Sequence, residues 1–271
     1  MPIELAGVRY RYAGASRDSL RGIDLHLEPG RVLGIAGANE SGKTTLCLVA
    51  SGFAPVVVGG RLEGFASIDG TPTGSMPAHG LAQRCGLLFQ NASTQLTGTT
   101  ATVFEEVAFG PCSLGLEVPE VIERVGWALN AVGIEALAPR NPSRLSGGQA
   151  QLVALASVLA LRPGYLILDE PTSELDPAGT ALVAEALARL AGETGAGIML
   201  AEHKPDVLAR VADEVVVLAA GEIALRGPAA EVLADLRLVE LGVEAPAEDR
   251  LRRDVAAAGL AWPAALSGGL V

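Results

Sequence analysis

The residues best suited to chemistry lie in one short stretch, Gly37 to Thr44 (GANESGKT), which fits the pattern G-x-x-x-x-G-K-[ST] in full. Glycines at 37 and 42 let the backbone bend around phosphate oxygens, so that its N–H groups and a following helix N-terminus point at the anion. Lys43 places a compact positive charge near the outer phosphates, and the Thr44 hydroxyl can ligate Mg²⁺. Asn39, Ser41 and Thr45 complete the segment facing the phosphates. Composition sets Lys43 apart: of the 20 Lys and Arg residues, only Lys43 and Lys204 are Lys. Where charge alone is wanted this chain uses Arg, whose planar fork does not suit a phosphate loop as an ammonium does. The stretch reads as a nucleotide site.

A second constellation is Tyr165-Leu166-Ile167-Leu168-Asp169-Glu170, an apolar strand ending in two carboxylates. Adjacent residues on an extended chain point opposite ways, so the two acids should take different parts. Asp169 is expected to hold Mg²⁺, directly or through water, and Glu170 to orient and polarise the attacking water. A further strand, Gly197 to Ala201, places His203 where it too would reach the γ-phosphate. Ser146-Gly147-Gly148, opening a long helical run at Gln149, makes a second anion site. With a single Lys-bearing loop in the chain, that site would serve a nucleotide held elsewhere. The same letters recur at Leu266-Ser267-Gly268-Gly269, where no helix can follow, and read as chance.

The elements that must position these groups follow from periodicity. Residues 3–12 and 22–28 alternate as strands, a strand (31–36) precedes the phosphate loop and a buried helix follows it. Tyr10 and Tyr12 share one strand face, free either to stack on an adenine ring or to pack across the sheet. Residues 60–70 suggest a strand pair and 86–90 a short strand ending at Gln90. Helices are expected over 103–110 and 117–132. At 271 residues with 49% hydrophobic content, the chain holds one large domain with a small appendage. A net charge of −11 without a basic run argues against nucleic-acid binding. Cys47, Cys85 and Cys112 are scattered, which suits a reducing compartment. The N-terminus lacks a signal-peptide layout, and no apolar run reaches the roughly 18 residues of a membrane span, so any membrane role would be peripheral.

Together, the phosphate loop, Gln90, Leu145-Ser146-Gly147-Gly148-Gln149, Asp169-Glu170, Ser173-Glu174-Leu175-Asp176 and His203 resemble the ATP-binding cassette (ABC) ATPases in order and spacing over residues 3–230. The resemblance implies an α/β fold: a P-loop NTPase core with a mixed sheet, an antiparallel β subdomain, a helical signature subdomain and a small C-terminal helical extension. The cassette would span 1–232, with the helical subdomain at about 92–162 and the extension at 233–271. It further implies a head-to-tail dimer, ATP being sandwiched between one phosphate loop and the partner's Ser146–Gln149. By position, Tyr12 resembles the adenine-stacking residue, Gln90 the γ-phosphate and Mg²⁺ sensor, Glu170 the catalytic carboxylate and His203 the switch histidine. Asp176 resembles the residue that communicates across the dimer.

Within the family, Phe89-Gln90-Asn91, the stretch Thr102 to Pro111 and Ala201-Glu202-His203 look like the ATPases of energy-coupling factor importers. These drive uptake of vitamins, nickel or cobalt at the cytoplasmic face of the membrane. Their partners are a transmembrane coupling subunit, a membrane-embedded substrate-binding subunit and a second ATPase, and the extension contributes to the ATPase–ATPase contact. Glu105 and Glu106 would either pair with Arg of the coupling subunit or form a solvated helix face. The chain departs from the family pattern at Glu40 in the loop, Ala150 and Leu152 after the signature, and Glu174. A soluble single-cassette ATPase of iron–sulfur assembly is the alternative.

Overall fold

The computed structural model describes residues 1–91, 94–258 and 260–261. Its strands are β1 (Ile3–Arg11), β2 (Leu20–Leu27), β3 (Val32–Gly37), β4 (Arg61–Ile68), β5 (Thr71–Pro72), β6 (Cys85–Leu88), β7 (Tyr165–Asp169), β8 (Gly197–Ala201), β9 (Glu214–Ala219) and β10 (Glu222–Pro228). Its helices are α1 (Lys43–Ala50), α2 (Phe53–Val56), α3 (Ala78–Arg84), α4 (Val103–Ser113), α5 (Val118–Ala131), α6 (Gly147–Leu159), α7 (Pro177–Thr194), α8 (Pro205–Val211), α9 (Ala229–Leu233) and α10 (Ala247–Ala257). One sheet is antiparallel with order β2-β1-β4-β5. The other has order β10-β9-β3-β8-β7-β6 and is parallel except for β10, the mixed sheet expected from the sequence.

The parallel strands read as unbroken apolar runs because both of their faces are buried. Ile198 and Leu200 of β8 join the core on the helical face, while Met199 and Ala201 join the core beneath the antiparallel sheet. In β7, Leu166 and Leu168 take the first side, and Tyr165 and Ile167 the second. Period two then puts Asp169 on the α1 side, where it is 2% exposed.

Two readings of local structure are corrected. Residues 60–70 hold a single strand, β4, which meets the two-residue β5 only at its end and has β1 as its main partner, with Tyr10 opposite Leu62. Pairing with an existing buried strand outweighs a local hairpin. Helix α4 also runs past Gly110 through Pro111, which sits in the last turn, and the Leu114 N–H donates to the Gly110 carbonyl at 3.0 Å. Helices α4, α5 and α6 pack on one another, bringing the signature segment with them. The proposed boundary at 232/233 falls within α9, and Leu238 and Val243 beyond it are buried in the core on the helical face. Helix α10 has no buried residue. The Leu266–Gly269 repeat lies outside the described residues. No helix among the described residues is long and apolar enough to cross a membrane.

Candidate nucleotide and active site

Strand order brings the chemistry together. β8 lies between β3 and β7, with Ala201 in register with both Ile35 and Asp169. The C-terminal ends of these three neighbours therefore deliver the phosphate loop, His203 and the Asp169–Glu170 pair to one edge, where open parallel sheets bind ligands.

The loop is shaped by close approach. A Cβ on Gly37 would lie 2.5 Å from Ser41 Oγ and 2.6 Å from the Leu218 carbonyl oxygen, and Gly42 sits at φ 110°. Only glycine fits both. Lys43 is 6% exposed, and its ammonium donates to the carbonyls of Gly37 (2.8 Å) and Ala38 (3.2 Å). Glu40 takes the left-handed conformation (φ 62°), is exposed, and is one of the residues lining the cavity over the loop. The Tyr12 hydroxyl lies 3.1 Å from Thr45 Oγ1, while the ring meets Tyr10 edge to face. Tyr10 itself is fully buried and donates to the Gly59 carbonyl, so of the two strand tyrosines it is the packing one.

Glu170 is the hub. Gln90 Nε2 donates to its carboxylate at 2.8 Å, Lys43 Nζ is 3.9 Å away and His203 Nδ1 3.7 Å. Its φ of 52° takes it off the extended line of β7, which ends at Asp169, so simple strand alternation does not set its direction. Burial raises the Asp169 pKa from 3.8 to about 6, opposed by a hydrogen bond from Thr44 and the charge of Lys43. Asp169 Oδ1 and Ser41 Oγ are buried without a hydrogen-bond partner. An unpartnered carboxylate oxygen beside the Thr44 hydroxyl is a hard-oxygen donor set that fits Mg²⁺. Among the described residues no three His, Cys, Asp or Glu side chains cluster as a metal site.

A cavity of about 600 Å³ spans Asn39–Thr45, Gln90 and Glu170. Its far wall, missed by sequence reasoning, is Arg17, Asp18 and Gly221. The only local signal there is a glycine, since a Cβ on Gly221 would lie 2.5 Å from the Ser19 carbonyl oxygen. Ser146–Gln149 do not line this cavity. They form a capping box at the start of α6, with Ser146 Oγ accepting from the Gln149 N–H at 3.3 Å and Gln149 Oε1 accepting from the Ser146 N–H at 3.2 Å. Against this helix start lies Glu174: a Cβ on Gly148 would be 3.0 Å from its carbonyl oxygen, and one on Gly147 3.1 Å from its Oε2. Asp176 caps α7 by accepting from the Gly179 N–H at 2.7 Å.

Glu105 is exposed and Glu106 is buried, so the pair does not form one solvated face. Glu105 closes a capping box with Thr102, and Glu106, 4% exposed, accepts from the Thr97 N–H (2.6 Å), Thr97 Oγ1 (2.8 Å) and Thr100 Oγ1 (2.6 Å). A buried carboxylate needs such donors, and here the chain supplies them itself.

The ABC transporter family model matches residues 20–173. Over 244 residues the chain is 42% identical to the nickel import ATP-binding protein NikO of Rhodobacter capsulatus, covering 87% of this chain and 92% of that one. Over 262 residues it is 37% identical to the energy-coupling factor transporter ATP-binding protein EcfA1 of Latilactobacillus sakei, covering 96% and 91%. Among solved structures it resembles CbiO1 of Clostridium perfringens, part of the ABC transporter complex CbiONQ. The TM-score is 0.76, with 30% identity and coverage of 95% and 96%.

Proposed function

The chain belongs to the ABC transporter ATP-binding family, and from that premise we propose that it is the ATP-binding and hydrolysing subunit of an energy-coupling factor type importer, powering uptake of a vitamin or transition-metal ion. The observation that carries the chemistry is the meeting of Gln90, Lys43 and His203 on the Glu170 carboxylate at the edge shared by β3, β7 and β8. Similarity along most of the chain to NikO, EcfA1 and CbiO1 supports the importer type.

In this reading the loop Gly37–Thr45 wraps the phosphates and Lys43 exchanges its carbonyl partners for their oxygens. Tyr12, held against Thr45, carries the adenine. Thr44, Asp169 and the Gln90 carbonyl oxygen would hold Mg²⁺, which when bound supplies charge neutralisation for the phosphates. Glu170 orients the attacking water and accepts its proton, and His203 steadies the γ-phosphate. Ser146, Gly147, Gly148 and Gln149 reach the nucleotide of a partner subunit, consistent with their lying away from the cavity of their own. Asp176 sits in the loop crossing that dimer. Loss of the γ-phosphate removes the bridging contacts and lets the dimer reopen. The subunit then works at the cytoplasmic membrane face beside a transmembrane coupling subunit and a membrane-embedded substrate-binding subunit.

Two experiments test this. Glu170→Gln should lower turnover on the order of 100-fold and leave an ATP-bound dimer on size exclusion; unchanged turnover removes Glu170 from its role. Affinity capture from detergent-solubilised membranes should recover a polytopic coupling subunit and a small substrate-binding membrane protein. Recovery of soluble assembly factors alone would refute the importer assignment.

A further inference from the structure

Lys204 is the one lysine outside the phosphate loop, and the hydrolytic site described above gives it no task. Its ammonium donates to the carbonyl oxygens of Thr172 (2.7 Å) and Leu175 (3.5 Å) and to Thr180 Oγ1 (3.1 Å). On the other side of His203, Glu202 is 0% exposed. One of its carboxylate oxygens accepts from the Thr172 hydroxyl at 2.5 Å. The other accepts from the N–H groups of His203 (2.8 Å) and Lys204 (3.1 Å) and lies 3.3 Å from His203 Nδ1. A carboxylate so deeply buried is tolerable only with its donors in place, which makes the arrangement exacting. Thr172 is thus gripped by its hydroxyl and its carbonyl, from the two residues that flank His203. The loop it belongs to starts beside Glu170 and packs its Glu174 carbonyl against Gly148.

We propose that Glu202 and Lys204 are positioning residues for hydrolysis, clasping the loop Thr172–Leu175 to the His203 turn so that the His203 side chain is held in place beside Glu170. The clasp acts through His203 and touches neither nucleotide nor water, and the proposal rests on the hydrolytic reading above. It differs from a general packing role in that its loss leaves the phosphate loop, and hence nucleotide affinity, intact.

The test uses Glu202→Gln and Lys204→Met in the full-length chain, with Lys204→Arg as the conservative variant. Single-turnover hydrolysis should slow about 10- to 100-fold in the first two, with the Kd for ATP changed by less than about 2-fold and partial recovery in Lys204→Arg. In a His203→Ala background the same substitutions should change the rate by less than about 2-fold, because they act through a side chain already gone. Hydrogen exchange at Thr172–Leu175 should quicken about 10-fold or more in Lys204→Met, whose partly exposed site permits folding even if Glu202→Gln does not. Unchanged rates, or a full loss persisting in the His203→Ala background, would overturn the proposal. If the wild-type chain hydrolyses no ATP, the hydrolytic reading falls, and exchange at Thr172–Leu175 decides the clasp by itself: unchanged protection in both variants overturns it.

Discussion

Replacing Asp169 by Asn should stabilise the chain in the absence of nucleotide and metal, and by an amount that depends on pH. Burial raises the pKa of this carboxyl from 3.8 to about 6. Below pH 3.8 the folded and unfolded chains both hold the proton, so the group has no effect on stability. Between 3.8 and about 6 the folded chain keeps a proton that the unfolded chain releases, and stability falls as pH rises. Above about 6 the whole difference is felt, and at about 1.4 kcal/mol per pH unit it comes to about 3 kcal/mol. Asn cannot ionise and escapes this cost, but it weakens the hydrogen bond from Thr44, worth about 1 kcal/mol. The net gain should be about 2 kcal/mol at pH 7.5. It should narrow by more than 1 kcal/mol at pH 5, where the wild-type carboxyl is largely protonated. Urea denaturation of both chains in EDTA at pH 5, 6, 7 and 8 measures the gap. A gap independent of pH, or a wild type more stable at pH 7.5, would refute the reasoning. Adding Mg²⁺ and ATP should then favour the wild type, whose ionised carboxylate the ion uses.

Glu106→Ala strips three donors of their acceptor and should cost about 3 kcal/mol, seen as a lower urea midpoint; a loss below about 1 kcal/mol would mean that water replaces the carboxylate. Gln151 is fully buried with neither side-chain amide atom hydrogen-bonded, so Gln151→Met should raise stability by about 1–2 kcal/mol. Destabilisation there would indicate a partner such as an internal water. Glu40→Gly relieves a left-handed backbone and removes an acid from the loop, so it should stabilise the chain by about 1 kcal/mol and tighten ATP binding modestly in equilibrium titration. Weaker binding would mean the Glu40 side chain serves the nucleotide.

Much of the site was legible because its parts are local. The glycines of the phosphate loop, the apolar run before Asp169 and the Ser146 cap each declare themselves within a few residues, and the resemblance then fixed their relation. What stayed hidden was long-range. Glu106 reads as a surface acid until Thr97 and Thr100 fold over it, so period alone could not tell a solvated face from a buried hub. In the sequence Glu202 stood only within Ala201-Glu202-His203 and Lys204 only as the second lysine, and it is the fold that sets Thr172 between them. Arg17, Asp18 and Gly221 carry no motif and reach the cavity because β2 and β10 start beside the loop, where the Gly221 N–H donates to the Ser41 carbonyl at 2.9 Å. The pairing of residues 60–70 was misjudged for the same reason, its partner lying far back in β1.

The place of β3 in the sheet has a consequence for how the protein is made. Val32 pairs with Ile198 and Leu33 with Glu214, so both neighbours of the strand that carries the phosphate loop come late in the sequence. A chain still on the ribosome, however complete its GANESGKT segment, lacks both sheet neighbours of β3 until β8 and β9 have emerged. Nucleotide binding should therefore be weak in chains that end before β8. The cell meets an ATP-competent subunit only after the histidine, both carboxylates and the signature helix have all been translated.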